Sequence, residues 1–472
     1  MSTSLRGVNL AGGEWAYAAG RAPVEGQDYQ WVSHRDIDYL DSKGVRFVRL
    51  LFSWEILQPQ LNQAFDPTYE AALRDRIGYA SGKGISVLIE PHGGEYTKFA
   101  RYKGDLVGSP AVPDAAFADL WRRLADTHRG NALVGFGLMN EPNGMSTAQW
   151  FGAAQAAIDA IRGAGAANLI FVPGNGFSQP ESWNDDAYDS GPAPKLSNAA
   201  GWARLNDPLN NAVVSVHTYF DADGGGGTDD IADPAIIGQR LQPVVDWARP
   251  RGLRVHLSEF GANAAAPGAE SAVANALAYL DANADVMTGW SWWAYGPPAW
   301  WGAYRFTLCP SGDYAVDDPK MAWLAPHFAG PPGAPTLRPA SVTLPAPADA
   351  SYSSKKTIAA GAGVPAGTYT LKAATRTTYS DQAGFCVEVI LENPSDQADI
   401  DWTRMTIDLR GHALGDAWNC TITGTSGIVA VEPMADTKTV RARSKTAFGF
   451  CVQRSALRSK AAAQVRIKSV SW

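Results

Sequence analysis

Eight short apolar segments recur about every 40 residues in the first part of the chain, and this regular spacing constrains the fold most. Helix-period segments lie between them, for example Asp114 to His128 and Thr147 to Gly163. Near-continuous apolar strands that alternate with helices are typical of a parallel sheet covered on both faces. Eight such units predict an α/β fold, a closed (β/α)8 TIM barrel. The apolar segments begin near Leu5, Val45, Ile85, Leu133, Asn168, Ala212, Leu253 and Met287.

Polar and aromatic side chains stand where most of these strands end. A doubly wound open sheet is the alternative fold, but it would not explain why such residues follow so many strands. Because a barrel carries its chemistry at the C-terminal ends of its strands, the set predicts one site at one mouth of the barrel. The residues are Arg49, His92, Asn140, Glu141, His217, Tyr219, Glu259 and Trp293.

The composition of the chain changes after Phe328. Prolines and small residues fill 331–349, which we expect to be a semi-rigid Pro-rich linker. Residues 350–472 carry short alternating runs, such as Phe385 to Leu391, with turn signals between them, and this pattern predicts a β-sandwich. We therefore expect a barrel domain over 1–330 and a sandwich domain over 350–472.

The bulk properties of the chain exclude several classes of protein. A formal net charge of -7, with 18% charged residues, argues against a nucleic-acid-binding protein and a strongly polyanionic substrate. The sequence has no apolar run long enough to span a membrane, so we expect no membrane partner. Three cysteines of the second domain, Cys386, Cys420 and Cys451, allow at most one disulfide and leave one thiol. We expect no metal, no cofactor and a monomer.

Two glutamates follow apolar segments of similar design. Glu141 comes after the run from Gly135 to Asn140, and Glu259 comes after the run from Leu253 to Ser258. A carboxylate after so apolar a strand is costly unless the function requires it. Glycosidic bond hydrolysis requires two carboxylates of this kind, one as acid/base and one as nucleophile.

Five segments of the chain carry a family resemblance: Arg6 to Gly12, Gly135 to Pro142, Val172 to Asn175, Val216 to Asp221 and Gly289 to Trp293. Together they resemble glycoside hydrolase family 5, and within it the endoglucanase subgroup. The resemblance covers nearly all of residues 5–310, and it implies a retaining endo-β-1,4-glucanase with Glu141 as acid/base and Glu259 as nucleophile. Glu95, after Gly93 and Gly94, departs from the Asn and the aromatic residue of the related endoglucanases.

The chemistry of a double displacement suggests roles for the other polar residues. Glu259 must be ionised to attack, so it needs donors, and Arg49 and the Tyr219 hydroxyl are suitable. Glu141 must begin protonated, and we expect His217 as its hydrogen-bond partner. Asn140 is placed to hold a sugar 2-hydroxyl. We predict a carboxyl separation of about 5 Å, which means retention, rather than about 6.5 to 9.5 Å, which means inversion.

Aromatic residues predict the shape of the substrate site. Trp293 matches the family residue that floors the subsite of the cleaved sugar, and Trp300 and Trp301 are expected at neighbouring subsites. Trp15, Tyr17 and Trp183 are expected to extend the cleft in the other direction. Such a cleft suits an endo-acting enzyme on β-glucan, and mannan, xyloglucan and mixed-linkage glucan remain alternatives. From another class, the chain could be a catalytically silent polysaccharide-binding protein, although such a protein has no need of the glutamate pair.

Three segments of the second domain stand out: Asp401 to Thr403, Ala417 to Ile422 and Thr446 to Phe450. Together they resemble a family 2 carbohydrate-binding module. Such modules bind polysaccharide with three exposed aromatic residues in a row; here Trp418 fits one position and Tyr379 is offset from another. No aromatic residue stands in Glu432 to Thr437, where the third is expected. The alternative is a sandwich that only packs on the barrel and stabilises it.

The first residues carry no signal-peptide pattern, because Met1 to Arg6 run straight into a strand. Either the protein stays inside the cell, or this is a mature form with an added Met1. We expect the second, a secreted, extracellular protein.

Overall fold

The structure is a computed structural model that describes residues 5–14, 21–93, 99–328, 351–358, 367–380, 384–396, 398–453 and 465–472. The chain divides into two compact units, a barrel and a C-terminal β-domain. The expected linker, 331–349, lies outside the described residues. Among the helices that are described, none is both long enough and apolar enough to cross a membrane.

Eight parallel strands close the first unit into a barrel, as the spacing of the apolar segments predicts. Each strand pairs with the next along the chain, and the last pairs with the first through Leu5 and Gly289. The strands are Leu5–Leu10, Phe47–Phe52, Ser86–Pro91, Val134–Gly137, Ile170–Pro173, Ala212–His217, Val255–Phe260 and Met287–Tyr295. The open-sheet alternative is therefore wrong.

Helices surround the barrel and begin at residues suited to capping. Ser33 and Asp36 form a reciprocal capping box before the first helix, and Asp66 caps the helix that starts at Pro67. The helices are His34–Ser42, Trp54–Leu57, Pro67–Gly82, Asp114–His128, Thr147–Gly163, Asn198–Trp202, Ile236–Ala248, Ala269–Ala282, Pro298–Trp301 and Pro319–Phe328. A 3-10 turn, Arg249–Arg251, follows the seventh of them, and a small hairpin joins Arg101–Tyr102 to Asp105–Leu106.

The barrel interior is apolar at one end and polar at the other. A layer of large apolar side chains fills the end where the strands begin. Toward the opposite end, Gly137 leaves room for a polar side chain, because a Cβ there would lie 2.1 Å from Glu90 Oε2. The barrel thus supports a polar site at the C-terminal ends of its strands. The apolar layer consists of Leu5, Phe47, Leu88, Leu169, Phe171 and Val213.

The second unit is an antiparallel β-sandwich. Its longest strand, Arg404–Trp418, pairs with three others in one large sheet, and the domain has one core that contains Trp402. Cys386 and Cys451 face each other on neighbouring strands and form a disulfide, whereas Cys420 is a free thiol. The strands are Ser351–Ile358, Gly367–Ser380, Gly384–Asn393, Ile400–Asp401, Arg404–Trp418, Cys420–Thr423, Ser426–Pro433, Thr439–Val440, Ser444–Gln453 and Arg466–Ser471.

Candidate active site

Arg49 is the centre of the polar network at the barrel mouth. It is fully buried on the second strand, and its Nη1 donates to Glu259 Oε1 at 2.6 Å and to Asn9 Oδ1 at 2.7 Å. Its Nη2 donates to Asn140 Oδ1 at 2.8 Å and to Glu90. A buried guanidinium requires such partners, and its flat fork fixes their relative positions.

Asn9 was not predicted as a site residue, although it too stands near the end of a strand. It is fully buried, and its Nδ2 lies 3.0 Å from the carbonyl oxygens of Ser258 and Trp292. Because its Oδ1 accepts from Arg49, this amide ties the guanidinium to the seventh and eighth strands. The signal that identified Arg49 is a polar residue within an apolar strand, and Asn9 shows the same signal in the strand Leu5–Leu10.

Glu259 is held by donors on both carboxylate oxygens. Arg49 contacts Oε1, and the Tyr219 hydroxyl donates to Oε2 at 2.8 Å. His217 Nδ1 and His92 Nε2 lie 3.5 and 3.8 Å from Oε1. Burial raises the pKa of this carboxyl, and the charge of Arg49 opposes that increase.

Glu141 lies four residues beyond the end of its strand, at Gly137, rather than at the strand tip itself. Its backbone has a φ of 43°, a left-handed conformation that non-glycine residues adopt rarely and often at functional sites. One of its carboxylate oxygens lies within 4.8 Å of an oxygen of Glu259. Burial raises the pKa of Glu141 to about 7, so the group can hold a proton near neutral pH.

His217 lies between the two glutamates. Its Nδ1 is 2.8 Å from Glu141 Oε1, the contact that the sequence predicted. Burial lowers the pKa of His217 to about 4, so the ring is neutral at pH 7. We assign its one ring proton to Nδ1, because that nitrogen faces both carboxylates.

Aromatic side chains line the mouth beside the glutamates. The rings of Trp293 and His92 stack at 5.3 Å, and Trp301 meets the edge of Trp293 at 6.0 Å. Trp293 Nε1 donates to the Tyr304 hydroxyl at 3.1 Å. Trp300 is 37% exposed, so its ring is available to a ligand. Tyr304 was not predicted, because it stands nine residues beyond the strand that ends at Tyr295.

The prediction that Trp183 extends the cleft is wrong. Its side chain is fully buried, with its ring 5.4 Å from Trp247 and 6.5 Å from Trp202. It forms part of the packing between strands and helices rather than a sugar platform. Trp15, Tyr17 and Glu95 lie outside the described residues.

The predicted residues of the second domain are described only in part. Trp418 is half-buried, and its ring covers Gly449, where a Cβ would lie 2.0 Å from Trp418 Cζ2. The side chain of Tyr379 lies outside the part that the structure describes. Met434, near the expected third aromatic position, is 46% exposed.

A closed barrel with two close carboxyl groups at its C-terminal mouth is the arrangement of a glycoside hydrolase. Residues 5–296 match the family described as Cellulase (glycosyl hydrolase family 5). The chain belongs to this family.

Several individual proteins are similar to the barrel. Endoglucanase 3 of Humicola insolens is 34% identical over 64% of this chain and 72% of its own length. Endo-beta-1,4-glucanase A of Emericella nidulans is 32% identical over 69% of this chain and 92% of its own. The solved structure of XacCel5A in complex with cellopentaose is 35% identical, covers 70% of this chain and 100% of its own, and has a TM-score of 0.63.

Proposed function

We propose that the chain is a retaining endo-β-1,4-glucanase in which Glu259 is the nucleophile and Glu141 the acid/base. The observation that carries the stereochemical part is the approach of their carboxylate oxygens within 4.8 Å. Retaining glycosidases place the two groups about 5 to 5.5 Å apart, whereas inverting enzymes leave room for a water molecule between carboxylate and sugar.

In the first step, an ionised Glu259 oxygen forms a bond to the anomeric carbon as the glycosidic C–O bond breaks. Glu141 gives its proton to the departing oxygen. In the second step, Glu141 takes a proton from water, whose oxygen attacks the same carbon and releases Glu259. Arg49 and Tyr219 favour the ionised form of Glu259, because both donate to it.

The raised pKa of Glu141, about 7, supports the choice of proton donor. The neutral His217 adds no cation that would force Glu141 to ionise. As negative charge leaves Glu259 in the first step, the environment of Glu141 becomes less negative and its pKa falls. This change favours release of the proton at the moment when the leaving oxygen needs it.

The aromatic mouth and the relatives support a β-1,4-glucan substrate. Two relatives are named as endoglucanases, and a similar structure holds cellopentaose. Trp293, Trp300 and Trp301 offer ring faces on which successive glucose units can stack. Asn140, whose Oδ1 accepts from Arg49, keeps its amide nitrogen for the sugar 2-hydroxyl.

The substrate is tested by reducing-end release from carboxymethyl cellulose, barley glucan, xyloglucan and glucomannan. We expect the fastest release from the β-1,4-glucans, with an early fall in viscosity that shows internal cleavage. A preference for glucomannan or xyloglucan would replace the glucan assignment. If none of the four substrates were cleaved, the enzyme assignment would fail and the alternative, a catalytically silent polysaccharide-binding protein, would be favoured.

The stereochemistry is tested by proton NMR of the first product from a short cello-oligosaccharide. Retention predicts that the β-anomer forms first and then mutarotates. An α-anomer at the earliest time would contradict the double displacement.

We propose that the sandwich assists the barrel by binding polysaccharide weakly through the surface around Trp418. The Thr437 hydroxyl donates to the carbonyl of Asn419, the residue after Trp418. This bond brings the segment that carries the exposed Met434 close to Trp418. The full chain and its Trp418→Ala variant should differ in sedimentation with cellulose but act equally on soluble substrate. Equal sedimentation of the two would contradict this role.

We also propose that the protein is secreted. The disulfide between Cys386 and Cys451 is typical of an oxidising compartment, and a polymeric substrate lies outside the cell. Fractionation of a culture of the source cells should place the enzyme in the medium. Retention of all the activity inside the cells would contradict this proposal.

A further inference from the structure

The position of the Tyr219 hydroxyl depends on what packs against its ring. Tyr219 follows the sixth strand, in a loop rather than in the barrel wall, yet only 6% of it is exposed. The hydroxyl reaches Glu259 Oε2 at 2.8 Å. A rotation of the ring would break this contact, so the neighbours of the ring determine whether the hydrogen bond forms.

Two groups pack on that ring. Phe306, from the loop after the eighth strand, is nearly parallel to it, with centroids 5.9 Å apart and planes at 24°. The backbone of Gly226 is the second neighbour, since a Cβ there would lie 2.8 Å from Tyr219 Cγ. Gly226 also has a φ of 69°, a left-handed conformation that favours glycine. Steric overlap with Tyr219 and the backbone conformation therefore both exclude a side chain at this position.

Arg305 contacts both of these neighbours. Its Nη2 donates to the carbonyl oxygen of Gly226, and its guanidinium lies 4.8 Å from the centroid of the Phe306 ring. Its Nε is 3.4 Å from Asp229 Oδ1, so the charge also faces the loop that carries Gly226. The side chain is 33% exposed, and it touches neither glutamate among the contacts of the described residues.

Other contacts fix the loop backbone, and Trp292 Nε1 also holds Phe306 by donating to its carbonyl at 2.8 Å; the Arg305 side chain contacts both Gly226 and Phe306. Arg240 donates to the carbonyl of Tyr219 at 2.7 Å, and Asp221 accepts from the backbone of Gly226 at 3.0 Å. These bonds set the path of the chain. The only bond from the loop after the eighth strand to Gly226, in the part of the chain that is described, comes from Arg305.

We propose that Arg305 is a positioning residue for the nucleophile. By holding Gly226 and Phe306 against the Tyr219 ring, it keeps the Tyr219 hydroxyl on Glu259. This inference rests on the proposed function, because it takes Glu259 as the attacking group. It adds a residue that contacts neither glutamate, on the loop after the eighth strand.

A double-mutant cycle tests the proposal in the full chain, with kcat and KM measured on a cello-oligosaccharide. Tyr219→Phe should lower kcat about 10- to 100-fold, the effect of losing a hydrogen bond to a charged group. Arg305→Ala should lower kcat about five- to tenfold, since the same bond is weakened rather than lost. KM should change little in Tyr219→Phe, because its substrate contacts remain.

The decisive value is the effect of Arg305→Ala in the Tyr219→Phe background. We expect no further loss of kcat there, because no hydroxyl remains to be misplaced. Arg305→Lys, which can still donate to Gly226, should recover part of the activity. A loss that multiplies with that of Tyr219→Phe, or an unaffected Arg305→Ala enzyme, would overturn the proposal.

Arg251→Ala is the matched control. Arg251 also donates to a backbone carbonyl, that of Trp247, and lies over its ring, but it belongs to the turn before the seventh strand begins. This variant should keep the wild-type kcat. If Glu259→Gln retained activity, the proposed function would fail. If Glu259→Gln is inactive but the kcat losses of Arg305→Ala and Tyr219→Phe multiply, only the role of Arg305 is overturned.

Discussion

The two glutamates occupy pockets that differ in what surrounds them. Glu259 has a donor on each oxygen, Arg49 and Tyr219, and its side chain is 5% exposed. Glu141 has a neutral imidazole at 2.8 Å, no cation in direct contact among the described residues, and a side chain that is 19% exposed. Burial raises the pKa of both groups, but only Glu259 has donors on both oxygens that oppose this increase, whereas Glu141, with a pKa of about 7, can hold a proton near neutral pH.

The largest expected effect comes from removing the charge of Glu259, the proposed nucleophile. Glu259→Gln keeps the shape of the pocket but cannot attack, so kcat should fall on the order of 10⁵-fold. Steady-state hydrolysis of barley glucan measures this loss. Glu270→Gln, on the exposed first turn of Ala269–Ala282, is the control and should keep full activity. If Glu259→Gln were as active as Glu270→Gln, Glu259 would not be the attacking group and the proposed difference between the two pockets would be wrong.

A smaller effect is expected when the proton donor is lost, and it should depend on the leaving group. Glu141→Gln should lower kcat on polymer about 10²- to 10⁴-fold, the contribution of general acid–base catalysis. With an aryl cellobioside whose phenol leaves without a proton, the rate of the first step should be nearly normal. Burst kinetics would measure that step. An equal loss on both substrates would contradict the acid role of Glu141.

Arg49→Lys tests the pocket of the nucleophile. A lysine cannot replace the guanidinium fork that contacts Asn9, Glu90, Asn140 and Glu259. We expect a loss of about 3 kcal/mol in the free energy of unfolding, measured with urea, because buried carboxyl groups lose their partners. Arg123→Lys, in a partly exposed pair with Asp119, should cost about 0.5 kcal/mol. If the two variants lost similar amounts of unfolding free energy, the buried contacts of Arg49 would be worth no more than a partly exposed ion pair.

The smallest expected effect concerns pH. Because burial raises the pKa of Glu141 to about 7, kcat/KM should fall about tenfold per unit above that pH, as the acid loses its proton. His217, with a pKa lowered to about 4, should not contribute to this limb. The pH profile of the wild-type enzyme on an oligosaccharide measures it. A profile that stays flat to pH 9 would contradict the protonated state of Glu141.

The barrel and most of its site could be predicted because each signal is local. Helix bounds such as Asp114–His128 follow from periodicity; His217 and Tyr219 stand at or just after a strand end, and Arg49 is the one charged residue in the apolar strand Phe47–Phe52. The closed barrel then brings them together with no further information. The left-handed turn at Glu141 could not be predicted, since nothing in Asn140 to Pro142 shows that the strand ends at Gly137.

Packing between distant segments could not be predicted. Trp183 follows a strand, as a cleft residue would, but Trp202 and Trp247 enclose it from helices elsewhere in the chain. The contact of Arg305 with Gly226 joins two loops whose sequences carry no shared pattern. Such contacts depend on the final arrangement of the loops rather than on any local period.

The contrast between the two pockets is tested most directly by trapping the glycosyl-enzyme. Glu141→Ala would be treated with 2,4-dinitrophenyl 2-deoxy-2-fluoro-β-cellobioside, whose phenol leaves without a proton donor, and the labelled peptide would be sequenced by mass spectrometry. The account predicts one 2-deoxy-2-fluorocellobiosyl adduct, on Glu259, with 2,4-dinitrophenolate released. An unmodified Glu259, or a label on another residue, would contradict it.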